Sequence, residues 1–177
     1  ASTDKTAKVW DAFSGDELLT LSDHTHAVLD VAFSPDGTYI ATASLDGTAK
    51  VWDAISGEVV FNLSGHAKGV TSIAFSPDGT RIATASLDGT AKGWDARTGT
   101  VLLTVTFSTD RFIDVVYSPD GKYVAVASLD GTAKLWNISD RHQMARTFSG
   151  HASGVYSVVF SPDGNRLATA SEDKTVR

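Results

Sequence analysis

The sequence predicts an all-β fold: a β-propeller built of four-stranded antiparallel blades, with four blades to the chain. Three observations lead there. The stretch SPDGTRIATASLDGTAKGW, Ser76 to Trp94, returns nearly unchanged at Ser34 to Trp52 and Ser118 to Trp136, and in shortened form at Ser161 to Arg177. The copies step by 42, 42 and 43 residues, the length of a propeller blade. Gly or Pro interrupts the chain about every ten residues, which caps strand length and leaves no long stretch of helical period.

Within one unit the elements follow in order. Val70–Ser76 is apolar and β-rich, bounded by Gly69 and Pro77, and reads as a buried inner strand. Ser76-Pro77-Asp78-Gly79 has the residue order of a type I turn. Arg81–Ser86 is the second strand, Asp88-Gly89 the next turn, Thr90–Asp95 the third strand, and Val101–Phe107 the fourth. Applied to the whole chain, this gives the outer two strands of a split blade in 1–22, repeats at 23–64, 65–106 and 107–149, and the inner strands of a split blade in 150–177. The total is sixteen strands, with a short further strand begun by Lys174–Arg177.

Composition narrows the function classes. A net charge of −6 argues against a nucleic-acid binder, which needs a basic face for phosphates, and against an anionic membrane surface. With no Cys there are no disulfides or thiolate metal sites, which permits a cytoplasmic setting. No apolar run approaches a membrane span, residues 1–15 lack the apolar core of a signal peptide, and the start at Ala inside a repeat suggests an excised or processed segment.

The recurring pairs Trp10-Asp11, Trp52-Asp53 and Trp94-Asp95, with Trp136-Asn137 as a variant, and the pairs Gly65-His66 and Gly150-His151, weakened at Asp23-His24, make the whole chain resemble the WD-repeat (WD40) β-propeller family. In that family a His, a Ser or Thr, an Asp and a Trp form a hydrogen-bonded chain inside each blade. The resemblance assigns those roles to His24, Ser44, Asp46 and Trp52, and again to His66, Ser86, Asp88 and Trp94. A third set has Ser108 where the His belongs, followed by Ser128, Asp130 and Trp136, so the third blade is expected to be the softest. The last is split between the termini: His151, Ser171 and Asp173 at one, Trp10 at the other.

The same Ser, His and Asp invite a catalytic triad, but their repetition at blade spacing favours a structural staple, and no enzyme activity, metal or cofactor is expected. The Asp-Gly turns lack the alternating ligands of a calcium loop, and His24 with His26 lacks a third ligand. The expected function is a non-enzymatic scaffold for a protein or peptide partner. The resemblance points to the top-face loops: Leu45, Leu87 and Leu129, with Thr3 and Glu172; Ala27, Gly69, Arg111 and Gly154; and Leu29, Thr71, Ile113 and Tyr156. The repeated Leu residues either bind a partner or pack on the next blade. Arg111, Tyr156 and Glu172 differ between units and are the sharper partner-binding candidates. The alternative is a structural fragment, or an engineered or duplicated half-propeller module of a larger regulatory protein, with no binding of its own. A third possibility is a ligand site in the central channel, where Asp30 and Asp114 are the only ionisable residues in mid-strand. Gly93 stands where Val9, Val51 and Leu135 stand in the other units, with no evident reason.

Blades of this family suit rings of seven or eight. Four wedges of about 45° span half a circle and leave two raw edges. The expectation is a homodimer in which one chain's outer pair completes the other's inner pair, giving one eight-bladed ring; the competing closure is a four-bladed monomer. The segments Ala1–Lys8 and Ala170–Arg177 are two versions of one sequence, and the N-terminal copy is expected to hold the strand while the C-terminal copy, from about Asp173, is displaced.

Overall fold

The computed structural model describes residues 1–106, 111–138 and 144–177. All regular elements there are strands: β1 (Ala7–Trp10), β2 (Glu17–Leu21), β3 (Val28–Phe33), β4 (Tyr39–Ser44), β5 (Ala49–Asp53), β6 (Val59–Leu63), β7 (Val70–Phe75), β8 (Arg81–Ser86), β9 (Thr90–Asp95), β10 (Val101–Thr106), β11 (Phe112–Tyr117), β12 (Tyr123–Ser128), β13 (Ala133–Asn137), β14 (Met144–Phe148), β15 (Val155–Phe160) and β16 (Leu167–Ser171). They form three antiparallel four-stranded sheets, β3–β6, β7–β10 and β11–β14, flanked by the separate two-stranded sheets β1–β2 and β15–β16.

The turns explain why the strands stop where they do. In the first turn the Ser76 hydroxyl donates to Asp78 Oδ1 at 2.6 Å and accepts from the Arg81 amide at 2.9 Å, while Gly79 closes the turn at φ 70°. In the second, Ser86 Oγ accepts the Asp88 amide, and the Asp88 carboxylate holds both the amide and the hydroxyl of Thr90. Gly47, Gly89 and Gly131 sit there with φ between 80° and 87°, left-handed backbone that suits Gly. Lys5 and Lys174 hold the same turn in the end copies, with φ of 75° and 69°.

The sheets stack side by side through alternate faces. β3 contacts β7, β7 contacts β11, and β11 contacts β15, so the inner strands line one side of an arc. Apolar clusters fill the seams. Ala7, Leu21, Val28, Ile40 and Trp52 join the β1–β2 pair to the first full blade. Val51, Val70, Ile73 and Trp94 join the first to the second. Phe112, Val115, Val126 and Trp136 lie between second and third, and Ala125, Ala127, Val155 and Val158 between third and last.

Two expectations about closure are corrected. The β1–β2 and β15–β16 pairs are not joined into one sheet, so the chain does not close on itself as a four-bladed ring. Within the single chain the C-terminal copy is not displaced either. Thr169 and Arg177 exchange backbone hydrogen bonds of 2.8 and 3.0 Å, and Ala170 bridges Val176, which adds a short strand to β16. The two copies sit at opposite ends of the arc and do not compete within one chain.

Candidate functional site

The ionisable groups expected to act together meet inside the blades, in a chain that runs through Thr rather than Ser. Trp52 Nε1–H donates to Thr42 Oγ1 at 2.8 Å, Thr42 Oγ1 lies 2.8 Å from His24 Nε2, and His24 Nδ1 lies 2.8 Å from Asp46 Oδ2. A carboxylate only accepts, so His24 donates through Nδ1, and its Nε2 accepts the Thr42 hydroxyl proton. Asp46 also accepts the Thr25 and Thr48 amides and the Thr48 hydroxyl. The second blade repeats the chain with Trp94, Thr84, His66 and Asp88 at 2.9, 2.8 and 3.1 Å.

Ser44, Ser86 and Ser171 are therefore corrected. Their hydroxyls are turn locks: Ser44 Oγ donates to His26 O and accepts the Asp46 amide, and Ser171 Oγ bonds Ser153 O and the Asp173 amide in the same way. The reason is register. Thr42, on β4, lies opposite Lys50 beside Trp52, whereas Ser44 is at the strand end where the turn begins. At the C-terminal end, His151 reaches Asp173 at 2.8 Å and Thr169 at 2.9 Å. Trp10 is at the other end of the arc and 54% exposed, so the split set is not assembled in one chain.

The third blade replaces the polar chain with an apolar one. Position 108 lies outside the described residues. Val126 stands where Thr42 and Thr84 stand, and Phe112 meets Trp136 edge-on at 6.3 Å, much as the His rings meet Trp52 and Trp94 at 6.1 and 6.3 Å. Asp130 turns to Lys134 and Thr132, and Ser128 Oγ accepts the Asp130 amide.

Charges follow this wiring. Burial lowers the pKa of His24 and His66 from the ordinary histidine value, against the opposing pull of Asp46 and Asp88. Burial raises Asp46 and Asp88, but their hydrogen bonds outweigh it and hold both at about 2. Neutral His and charged Asp are the states that the geometry requires, leaving the imidazoles no free acceptor for general-base work.

On the loops, Leu45 and Leu129 lie across the next blade, with their Cδ2 atoms 2.7 and 2.8 Å from where a Cβ on Gly69 or Gly154 would sit. These leucines are thus packing residues as well as half-open ones. Leu87 is half-buried, and the third blade has Arg111 at the position of Gly69 and Gly154. Thr71 donates to Phe112 O at 2.8 Å, which ties the second blade to the third. Ile113 is half-buried. Leu29 and Tyr156 are 41% and 48% exposed, and Arg111 and Glu172 are exposed. Glu172 accepts the Ser153 hydroxyl at 2.8 Å.

Along the inner strands, Asp30 Oδ2 accepts Ser72 Oγ and the Ile73 amide, both at 2.9 Å. Asp114 Oδ2 accepts Ser157 Oγ and the Val158 amide at 3.0 and 2.9 Å, while its Oδ1 lies 3.1 Å from Ser72 Oγ and shares that single proton with Asp30. Both aspartates are latches between blades, with their oxygens engaged.

Sequence reasoning missed Thr42, Thr84, Thr169 and Phe112. The signal was present: Val126 interrupts the Thr series in the one unit without a His.

Comparison with known proteins agrees with this construction. The model of the WD domain, G-beta repeat, matches residues 15–53, 57–95, 99–137 and 142–177. Over 42 residues the chain is 57% identical to the human serine-threonine kinase receptor-associated protein, covering 24% of this chain and 12% of that protein. Over 39 residues it is 51% identical to ribosome assembly protein 4 of Chaetomium thermophilum, 22% of this chain and 8% of that one. Over 37 residues it is 46% identical to WD repeat and SOCS box-containing protein 1 of Xenopus tropicalis, 21% and 9%. Each match spans about one blade and a small part of the relative. With four matched repeats covering most of its length and a Trp–Thr–His–Asp chain inside its blades, the protein belongs to the WD40 repeat family.

Proposed function

We propose that the chain is a non-enzymatic scaffold that binds a protein or peptide partner on the loops at the Arg111 and Tyr156 end of its blades. One observation supports this above the rest. Arg111, Tyr156 and Glu172 break an otherwise repeated sequence at positions that the fold leaves exposed. WD40 repeats generally mediate protein interactions. Aromatic and Arg side chains dominate binding energy when a partner desolvates them. The test is a peptide array probed with the protein: Arg111→Ala and Tyr156→Ala should each weaken a specific hit at least tenfold while leaving thermal unfolding unchanged. Hits equally strong for both variants would sink this surface. Absence of any hit would favour the alternative, a half-propeller module whose binding lies elsewhere. No cofactor, nucleic acid or membrane enters this reading, and a cytoplasmic location remains part of it.

A second reading concerns assembly: two chains close one eight-bladed ring. Three features of the ends favour it. Trp10 is exposed at one end, while Thr169, the counterpart of the Trp acceptors Thr42 and Thr84, faces no Trp at the other. The inner strands alternate Asp30, Ser72, Asp114 and Ser157, so Ser157 of one chain would meet Asp30 of the next and continue the latch pattern. Leu29, Val31 and Phe33 at one end, and Val159 at the other, are exposed apolar residues on strands whose counterparts in the middle are buried or half-buried. Further repeats of a longer chain would satisfy the same faces. In this reading the partner's β1 takes the place of Lys174–Arg177 beside β16. Light scattering should give twice the 18.7 kDa of one chain, and Trp10→Ala should return it to a single chain. A lone chain at every concentration would exclude the dimer.

A further inference from the structure

The geometry points to a second binding site, a cleft between the second and third blades that takes the C-terminal aliphatic residue of a peptide. It lies at the opposite end of β11 from Arg111, away from the surface proposed above.

The cleft exists because one side chain is missing. Gly93 is on β9, where the matching residue of the first blade, Val51, is fully buried in the seam. Backbone conformation does not demand Gly here: its φ is outside the left-handed region, and a Cβ would meet Leu103 Cβ at an ordinary 3.6 Å. What Gly93 supplies is space. The opening is walled by Ala83, Leu103, Tyr117, Trp136 and Ile138, with Arg81 at its edge. Its free volume is about 40 Å³, room for about three water-sized groups, the scale of a branched aliphatic side chain.

Three more departures from the repeat gather at this spot. Tyr117 stands where Phe33, Phe75 and Phe160 stand, and Ile138 where Ala12, Ala54 and Ala96 stand. Asn137 replaces the Asp of the Trp-Asp pair. Tyr117 is half-buried, and among the described residues no hydrogen bond reaches its hydroxyl. Burial raises its pKa, so it stays an O–H donor. Arg81 is exposed at the mouth, close enough to lower the pKa of Asp78 but, among the described residues, in direct ion-pair contact with no carboxylate. An apolar slot with a neutral O–H donor on its wall and a guanidinium at its rim matches one chemistry: an aliphatic group a few ångströms from a carboxylate. A peptide ending in Leu carries both, with the side chain entering beside Gly93 and the α-carboxylate meeting Arg81, whose planar fork suits carboxylates.

The probe is a fluorescein-labelled Gly-Gly-Ser-Leu peptide with a free carboxylate, followed by fluorescence polarisation. Saturable binding is expected, weakened at least tenfold when the carboxylate is amidated or the Leu is replaced by Ala. Gly93→Val, which restores the side chain of the first blade, should abolish binding with cooperative unfolding retained; Gly93→Ala, a smaller filling, should weaken it. Arg81→Ala should bind the acid and the amide alike. Arg111→Ala should leave the affinity unchanged. Binding that ignores Gly93→Val, equal affinity of acid and amide for the unaltered protein, or no saturation at millimolar peptide would each overturn the site.

Discussion

Thr84→Val is expected to lower stability by about 2–4 kcal/mol in urea denaturation. The substitution keeps the shape of the side chain and removes one oxygen. That oxygen accepts the Trp94 indole N–H at 2.9 Å and faces His66 Nε2 at 2.8 Å, within a blade where Trp94 is 1% exposed. Both partners would be orphaned in the core, and each buried orphan costs about 1–3 kcal/mol. Ser86→Ala should cost only about 1 kcal/mol, because Ser86 locks a turn and supports no buried ring. Equal losses for the two variants would refute the Thr-centred chain. The pH dependence has a fixed sign. Folding lowers the pKa of His24 and His66, so the unfolded chain takes up protons first as pH falls through the ordinary value near 6.5. Stability is therefore fullest above that value and declines below it. A second decline follows as pH falls from 3.8, the ordinary Asp value, towards the folded value of about 2 at Asp46 and Asp88. Urea midpoints measured at pH 7, 5 and 3 should fall in that order, and a midpoint higher at pH 5 than at pH 7 would contradict the assignment of neutral imidazoles.

Much of this molecule is legible in its turns. Ser76-Pro77-Asp78-Gly79 and Asp88-Gly89 mark where β7 and β8 end, because the turn residues use their own side chains to bond the backbone. Strand order within a sheet follows, since short turns join neighbours. The blade network was less legible. Ser44 and Thr42 are both hydroxyls two residues apart in one strand, and sequence spacing alone does not say which shares a level with Trp52. Register decides, by setting Thr42 opposite Lys50 and Ile40 opposite Trp52. The third blade shows the other limit. Loss of its His reads in sequence as a weakness, yet Val126 and Phe112 change with it and give Trp136 an apolar neighbour. A well-packed apolar replacement of a buried polar network can be neutral or stabilising. The arc between the blades depends on contacts 42 to 44 residues apart, such as Asp30 with Ser72 and Asp114 with Val158, which no local pattern announces.

Those long-range contacts set the second large effect. Asp114→Ala is expected to loosen the β15–β16 pair from the third blade by about 2–3 kcal/mol while the central blades remain folded. One carboxylate accepts Ser157 Oγ and the Val158 amide through Oδ2, so its loss strips the latch from the seam with β15, while the seam with β7 loses only the longer contact of Oδ1 with Ser72 Oγ. Val158 is buried, and its amide would then have no acceptor in the protein. The apolar contacts of Val155 and Val158 with Ala125, Ala127 and Ala133 persist, which is why the change is a local opening and not global unfolding. Hydrogen exchange at the Val158 amide should accelerate roughly 30- to 150-fold, with exchange in β4 and β5 unchanged. Asp114→Asn retains a carbonyl oxygen for the amide and should recover part of the protection. If Asp114 were instead a channel-facing ligand group with no role in holding the seam, the Val158 amide would exchange at the same rate in all three proteins.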